Sequence, residues 1–169
     1  IKDYAIPDSL LVARATSARM VSPKTANVDI PIEGGFVGMV DRDQFDEWLR
    51  ERAASAGAHR RIGSFERLEH GADGINTIHF KAREDHRRGE GTPDSVRART
   101  IIGADGAKSG VARQAIPGAK DVNYVFAYHE IVAAPEVKPA GYDGTRCDVW
   151  YQGRLSPDFY GWVFPHGDT

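Results

Sequence analysis

Alternating apolar and polar positions divide the beginning of the chain into short strands and one helix. The stretches 17–23 and 26–32 each fit a strand, and a Pro-Lys turn lies between them. A glycine-rich apolar run at 34–40 follows. Over 42–56 the apolar residues recur at the spacing of one helix face. The pattern predicts a strand hairpin, a third strand-like run and an amphipathic helix whose charges face solvent.

The predicted helix carries signals at both of its ends. Asp41 suits the N-cap position, where a side-chain oxygen accepts from a backbone N–H group of the first turn. Gln44 lies three residues later, which fits a capping box. Gly57 suits the position that follows the last helical residues. These signals favour a helix that begins after Asp41 and ends just before Gly57.

The middle of the chain predicts a second hairpin and then a long loop. The stretch 61–71 is strand-like, 71–74 is a turn, and 75–83 alternates in the manner of a half-buried strand. Almost no apolar residue occurs in 84–95, which we interpret as a solvated loop at a hairpin tip. An apolar, β-branched run at 100–103 then leads into Gly-Ala-Asp-Gly, and we expect a short helix over 107–113.

The last part of the chain predicts mainly strands. Strand-like stretches occupy 124–133, 146–153 and 160–164, and a loop rich in proline and glycine covers 135–144. Helices and strands alternate early and strands dominate late, so the fold class is predicted as mixed α/β (α+β) with antiparallel pairing in the second half.

Composition narrows the function classes. The net charge is −2, so the chain has no overall positive field for nucleic acid. No apolar run approaches the roughly 20 residues that a membrane-spanning helix needs. The single cysteine, Cys147, has no partner for an internal disulfide, and no His, Cys and carboxylate spacing indicates a metal site. Because the chain begins with isoleucine and ends just after a predicted strand, we expect an internal piece of a longer protein.

The string Gly-Ala-Asp-Gly at 103–106 carries the most specific chemistry. Glycines let a backbone approach a phosphate or ribose closely, and a carboxylate at the end of a strand can accept hydrogen bonds from ribose hydroxyls. The same four residues occur at 71–74, where they are predicted to form only a turn. The four letters are therefore not diagnostic, whereas the longer string, an apolar strand followed by GADGxxSxVAR, is far more specific.

Three stretches resemble one group of flavoproteins. The string IIGADGAKSGVAR (101–113) resembles the second flavin-binding motif of FAD-dependent oxidoreductases built like p-hydroxybenzoate hydroxylase, and VDRDQFDEWLRERAASAGA (40–58) is similar to the segment that precedes it. The stretch YQGRLSPDFYGWVFPHGD (151–168) resembles the YxWxFP motif of geranylgeranyl reductases, and FAYHEIV (126–132) is similar to their bacteriochlorophyll branch.

The resemblance implies a domain organisation. Residues 1–123 would belong mostly to an FAD-binding, Rossmann-like domain of the p-hydroxybenzoate hydroxylase type, with strands of the substrate domain near 14–40. Residues 124–169 would begin the main antiparallel sheet of the substrate domain. The family's N-terminal GxGxxG unit and its C-terminal remainder are not found in this sequence.

The resemblance also implies a cofactor site. Arg42 would contact FAD, because a guanidinium can bind phosphate oxygens with two parallel hydrogen bonds; without the resemblance it is a surface arginine near a helix cap. Asp105 would accept hydrogen bonds near the pyrophosphate and ribose, and Gly106 would permit close approach. Gly103 and Ser109 complete the matching motif.

Aromatic residues near the end of the chain imply a substrate site. Alternation places Tyr160, Trp162 and Phe164 on one strand face. Taken alone, such a strand indicates ordinary core. In the family it lines the cavity beside the flavin, so these rings and Pro165 would wall a pocket for a polyprenyl chain. His129 is interpreted as structural, His166 receives no role, and no residue is identified as the proton donor.

The function that the resemblance implies is FAD-dependent saturation of C=C bonds, with NADPH as the electron donor. The substrate would be the geranylgeranyl tail of bacteriochlorophyll, or geranylgeranyl diphosphate. We expect a cytoplasmic protein, whose lipidic substrate would permit peripheral contact with the photosynthetic membrane. Two alternatives stay open: a flavin monooxygenase acting on a small aromatic molecule, which shares the Asp-Gly motif, and a non-enzymatic lipid- or pigment-binding module.

Overall fold

The computed structural model of the chain describes residues 3–84 and 89–167. These residues form nine strands, two α-helices and a single 3-10 turn at Asp8–Leu10. The chain divides into two compact units. The first unit comprises Ile1–Ala56 together with Val125–Thr169, and the second comprises Gly57–Tyr124. The class is mixed α/β, as the sequence predicts.

The first unit contains two sheets and one helix. Its elements, in chain order, are β1 (Leu11–Ala15), β2 (Ser17–Val21), β3 (Asn27–Pro31), β4 (Val37–Val40), α1 (Arg42–Ser55), β8 (Arg146–Trp150) and β9 (Gly161–Val163). Strands β1 and β4 pair antiparallel, and the larger sheet has the order β3-β2-β8-β9. The pairs β2–β3 and β8–β9 are antiparallel, whereas β2–β8 is parallel. The larger sheet is therefore mixed.

The core of the first unit lies on strands β1, β2 and β8. Its buried apolar residues are Ala15, Val21, Cys147 and Val149. Burial raises the pKa of the Cys147 thiol above its ordinary value. Arg146 is also buried, and its guanidinium donates from Nε to Asp148 Oδ1 over 2.5 Å and from Nη2 to the Gly141 carbonyl over 2.7 Å. A buried charge is tolerated because it is paired in this way.

Helix α1 begins and ends within a residue of the prediction, but its predicted capping box is wrong. The Asp41 side chain makes no hydrogen bond to the helix backbone. Instead its Oδ2 is 3.5 Å from the Gln44 amide nitrogen, and its Oδ1 is 2.6 Å from His166 Nε2. Asp41 therefore contacts a residue 125 positions away in sequence and does not cap the helix backbone.

The second unit is a three-stranded antiparallel sheet with one short helix. Its elements are β5 (Gly63–His70), β6 (Asn76–Ala82), β7 (Thr92–Ala98) and α2 (Gly110–Ala115), with β6 central. The predicted turn at 71–74 is confirmed, because the Gly74 N–H donates to the Gly71 carbonyl over 3.0 Å. Phe80 on β6 is the buried aromatic residue of this unit. Helix α2 packs on β5, where the Gln114 side chain binds the Glu66 carbonyl and the Leu68 N–H.

The predicted loop at 84–95 is partly wrong. Residues 85–88 lie outside the described residues, but β7 already begins at Thr92. The side chains of β7 are almost all exposed, so no hydrophobic pattern marks the strand. The backbone of β7 pairs antiparallel with the free edge of β6. These hydrogen bonds join backbone groups, so they form whatever side chains β7 carries.

Four predicted elements form only in part or not at all. The apolar run at 100–103 and the stretch 124–133 are not strands, since neither pairs with another strand among the described residues. The paired part of the aromatic strand is limited to Gly161–Val163. The helix expected over 107–113 begins only at Gly110. The late part of the chain thus contains fewer strands than its apolar content indicates.

Candidate functional site

The loop that precedes α2 holds the Asp105 carboxylate against the helix. Asp105 Oδ2 accepts from the backbone N–H of Gly110 over 2.6 Å and of Val111 over 3.2 Å, and Oδ1 accepts from the Ser109 hydroxyl. The Ser109 hydroxyl group also accepts from the Ala112 N–H over 2.9 Å, as an N-cap does. The hydrogen bond from Ser109, with the backbone N–H groups, holds the pKa of Asp105 below its ordinary value. The residue predicted to bind a cofactor therefore also organises its own loop.

Two glycines allow the loop, the helix and β5 to lie close together. A Cβ at Gly103 would lie 2.9 Å from Val111 Cβ, and one at Gly110 would lie 3.0 Å from Phe65 Cδ1. Between them, Gly106 has φ +84°, which a residue with a side chain adopts only at a cost. The contact of Gly110 with Phe65 is not recognisable in the sequence, because the two residues are far apart along the chain.

Arg42 lies at the first position of α1 in the first unit. Its guanidinium donates from Nε and Nη2 to the two carboxylate oxygens of Asp46, over 2.9 Å and 3.0 Å. The side chain is 77% exposed, and the hydrogen bond to Asp46 raises the pKa of Arg42. An exposed ion pair one helical turn apart contributes little free energy. The Arg42 guanidinium can therefore leave Asp46 to bind another group.

The five predicted cofactor residues divide between the two units. Gly103, Asp105, Gly106 and Ser109 are brought together in one loop of the second unit, and Arg42 lies in the first unit. A cavity of about 320 Å³ in the second unit adjoins the loop. Gly103 and Ser109 line it together with Ile101, His70 and Asn76. No sequence motif marks His70 and Asn76, whose side chains contact each other (Nδ1 to Oδ1, 2.7 Å).

The predicted substrate residues belong to a cluster of aromatic rings in the first unit. Tyr160 stacks on Phe159 with ring centroids 4.2 Å apart, and it lies 6.0 Å from Tyr151 and 5.9 Å from Trp162. The His129 ring stands edge-on to Trp162 at 6.1 Å. Such edge-to-face arrangements are favourable and keep each ring in a fixed orientation.

A cavity of about 300 Å³ opens beside this cluster. Its walls are largely apolar and include Trp162, Phe164 and Pro165, with His129 and His166 among the polar groups. The remaining lining residues are Met39, Val40, Glu130, Ile131, Val132, Ala133, Ala134, Pro135, Tyr142 and Val163. Tyr160 is not among them and packs within the ring cluster instead. The segment 129–135, to which no function is assigned from its sequence, supplies one wall.

Within residues 3–84 and 89–167, no group of three or more His, Cys, Asp or Glu side chains is placed to hold a metal ion. In the same part of the chain, no helix combines the length and the apolar character that crossing a membrane requires.

Comparison with known proteins identifies the relatives of this chain. No family model matches it. It is 54% identical over 169 residues to a geranylgeranyl diphosphate reductase of Rhodobacter capsulatus, a match that covers 100% of this chain and 41% of that protein. It is 34% identical to the chloroplastic geranylgeranyl diphosphate reductase of Arabidopsis thaliana, over 99% of this chain and 36% of that protein.

A more distant relative acts, by its name, on a lipid. The digeranylgeranylglycerophospholipid reductase of Methanosarcina acetivorans is 29% identical over 99% of this chain and 40% of its own length. The chain thus spans about two fifths of the length of the curated relatives it matches. The identity to the Rhodobacter protein over all 169 residues shows that this chain belongs to the geranylgeranyl reductase family.

Proposed function

We propose that the full-length protein containing this chain is an FAD-dependent oxidoreductase that saturates C=C bonds of a geranylgeranyl chain. The observation that carries this proposal is the 54% identity, over the whole chain, to a protein named geranylgeranyl diphosphate reductase. The apolar cavity beside Trp162 supports it independently, because a prenyl chain is a long apolar ligand that needs such walls.

The chain offers residues that fit FAD. The Asp105 carboxylate is exposed and has about four lone-pair sites, of which three are used, so it retains capacity to accept from a ribose hydroxyl. No atom lies within 4 Å of the position of a Cβ at Gly106, which leaves that face of the loop open. We propose that Asp105, Gly106, Gly103 and Ser109 hold the cofactor, and that Arg42 binds its phosphates. Bound FAD supplies hydride-transfer chemistry.

The proposal extends to the domains. Residues 1–123 would form mostly part of an FAD-binding domain of the p-hydroxybenzoate hydroxylase type, and 124–169 would begin the substrate sheet. The parallel pairing of β2 with β8 supports the inclusion of β2 and β3 in that sheet, whereas β1 and β4 pair with each other in a separate sheet. A cytoplasmic location with peripheral membrane contact stays a prediction.

The chain's own residues have three tasks in this proposal. Trp162, Phe164 and Pro165 bind the prenyl chain and exclude water from it. The ring cluster around Tyr160 keeps Trp162 in one orientation. Holding an isolated double bond in a fixed place matters, because correct positioning can supply a large part of the rate.

The electron donor is proposed to be NADPH, and the substrate is either geranylgeranyl diphosphate or a geranylgeranylated bacteriochlorophyll.

The first test follows product mass. The purified full-length protein is incubated with NADPH in two separate reactions. One contains geranylgeranyl diphosphate and the other contains geranylgeranylated bacteriochlorophyll. The proposal predicts products whose masses increase in steps of two hydrogens, and the substrate that yields them is identified at the same time. NADPH consumption with peroxide release and an unchanged prenyl chain would favour the monooxygenase. Tight substrate binding by a protein that takes up no flavin would favour the binding module.

A second test concerns the cofactor site. Arg42→Gln is expected to weaken FAD binding about 10-fold or more, the loss typical of a charged hydrogen bond. Arg50→Gln is the matched control, since Arg50 lies on the same helix and pairs with Glu47 over 3.3 Å. FAD affinity is measured by fluorescence titration of the full-length apoprotein. Equal affinities in the two variants would contradict the role given to Arg42.

A further inference from the structure

The Asp41–His166 pair is not explained by the helix that it precedes. Asp41 is the N-cap residue of α1, yet its carboxylate makes no capping bond. Its Oδ1 instead lies 2.6 Å from His166 Nε2. Because an ionised carboxylate is only an acceptor, Nε2 must carry the hydrogen. The side chains are 34% and 25% exposed, so the pair is partly removed from water.

His166 also lines the 300 Å³ cavity that contains Trp162 and Phe164. One edge of the imidazole is therefore fixed by a carboxylate, while the residue forms part of the wall of an apolar cavity. This arrangement, in which an acidic partner sets the tautomer and stabilises the imidazolium, is one that proteins use for proton transfer.

The chemistry of the cavity wall argues against a headgroup site. Its titratable lining residues are His129, Glu130, Tyr142 and His166, and its described lining includes no lysine or arginine. Glu130 supplies one carboxylate to this wall, and Asp41, which contacts His166, supplies another beside it. A diphosphate would find little positive charge here, so this cavity suits the hydrocarbon part of a substrate.

We propose that His166 donates the proton that completes saturation of each C=C bond, and that Asp41 is its positioning residue. The inference rests on the proposed function. One carbon of the double bond would gain a hydride, which bound FAD in its reduced form would supply, and the π pair of electrons would form a C–H bond to a proton at the other carbon. The N–H bond of the imidazolium breaks, neutral imidazole remains, and solvent returns the proton.

His166 is a better donor than the other titratable residues of the wall. His129 contacts the Trp162 ring, whereas His166 contacts the Asp41 carboxylate. Glu130 is exposed to solvent, whereas the His166 side chain is only 25% exposed. The Tyr142 hydroxyl is a much weaker acid than an imidazolium.

The test uses the full-length protein and separates proton transfer from the other steps. His166→Asn and Asp41→Asn are compared with Asp43→Asn, which changes an acidic residue in the first turn of α1. Substrate affinity is measured by quenching of tryptophan fluorescence, and reduction of bound flavin by NADPH is measured by its absorbance. Saturation of the prenyl chain is followed by mass spectrometry after rapid quenching, between pH 6 and 9.

We expect His166→Asn to slow saturation about 100-fold or more, as loss of a general acid does. Substrate affinity and flavin reduction should stay within about 3-fold of the wild type, because neither needs this proton. In Asp41→Asn the saturation rate should fall across the measured pH range, with substrate affinity and flavin reduction unchanged, because the imidazole has lost the carboxylate that fixes its orientation. Asp43→Asn should behave as the wild type.

Three results would overturn the inference. Wild-type saturation in His166→Asn excludes His166 as the donor. Loss of substrate affinity with an unchanged saturation rate would show a binding role instead. A collapse of saturation in Glu130→Gln, with His166→Asn unaffected, would assign the proton to Glu130. If the wild-type protein itself saturates no prenyl chain, it is the proposed function that fails.

Discussion

Substitution of Gly103 by alanine tests how closely the Asp105 loop packs on α2. The new Cβ would lie 2.9 Å from Val111 Cβ and 3.0 Å from its Cγ1. Carbon atoms prefer separations of about 3.5–4.0 Å, so loop and helix must move apart by roughly 0.5 Å or more. Asp105 ties the same turn to the Gly110 N–H over 2.6 Å, and the movement therefore strains that hydrogen bond. Overpacking of this kind costs about 1–3 kcal/mol.

The assay is hydrogen exchange in the full-length protein, which reports local opening at individual amides. We expect exchange at the Gly110 and Val111 amides to accelerate about 5- to 150-fold in Gly103→Ala, the range that corresponds to the cost above. Gly153→Ala is the matched control, because no atom lies within 4 Å of its Cβ position. Equal exchange rates in the two variants would refute the proposed packing.

Three further predictions concern the second unit. Ser109→Ala should destabilise α2 by about 1 kcal/mol, because the N-cap acceptor of the Ala112 N–H is lost; urea unfolding measures this, and Ser109→Thr should restore most of it. The pKa of Asp105 is held below its ordinary value, so its contribution to stability is present above the ordinary aspartate pKa and is lost as the pH falls through the lowered one. Asp105→Asn should remove this pH dependence from unfolding curves recorded in acid. Phe80→Ala should cost about 3–5 kcal/mol, since this ring is only 9% exposed, and an unchanged urea midpoint would contradict its place in the core.

Local signals predicted the hairpins and the long helix well. Strands β2 and β3 follow from alternation around one turn, and α1 follows from spacing that runs up to Gly57. Strand β7 was missed because its exposed side chains carry no pattern and only the edge of β6 defines it. Residues 124–133 have the composition of a strand, but no partner among the described residues pairs with them.

The sequence predicted which residues belong to the candidate site, but it did not predict the contacts that they make. The motif marked Asp105, Gly106 and Ser109, yet it could not show that Asp105 accepts hydrogen bonds from its own helix. Asp41 was predicted to cap α1, which is the local solution, but its partner His166 lies 125 positions away. The hydrogen-bond partner of a polar side chain can thus lie far away along the chain, and such a partner cannot be predicted from the spacing of residues in the sequence.

The most direct test of the proposed function is anaerobic reoxidation of the full-length protein by its substrate. The flavoprotein is reduced with one equivalent of NADPH, and geranylgeranyl diphosphate or geranylgeranylated bacteriochlorophyll is then added without oxygen. Our proposal predicts that the absorbance of oxidised flavin returns with one of the two substrates, and that two hydrogens enter the prenyl chain for each flavin reoxidised. A flavin that stays reduced with both substrates until oxygen is admitted would contradict the proposal.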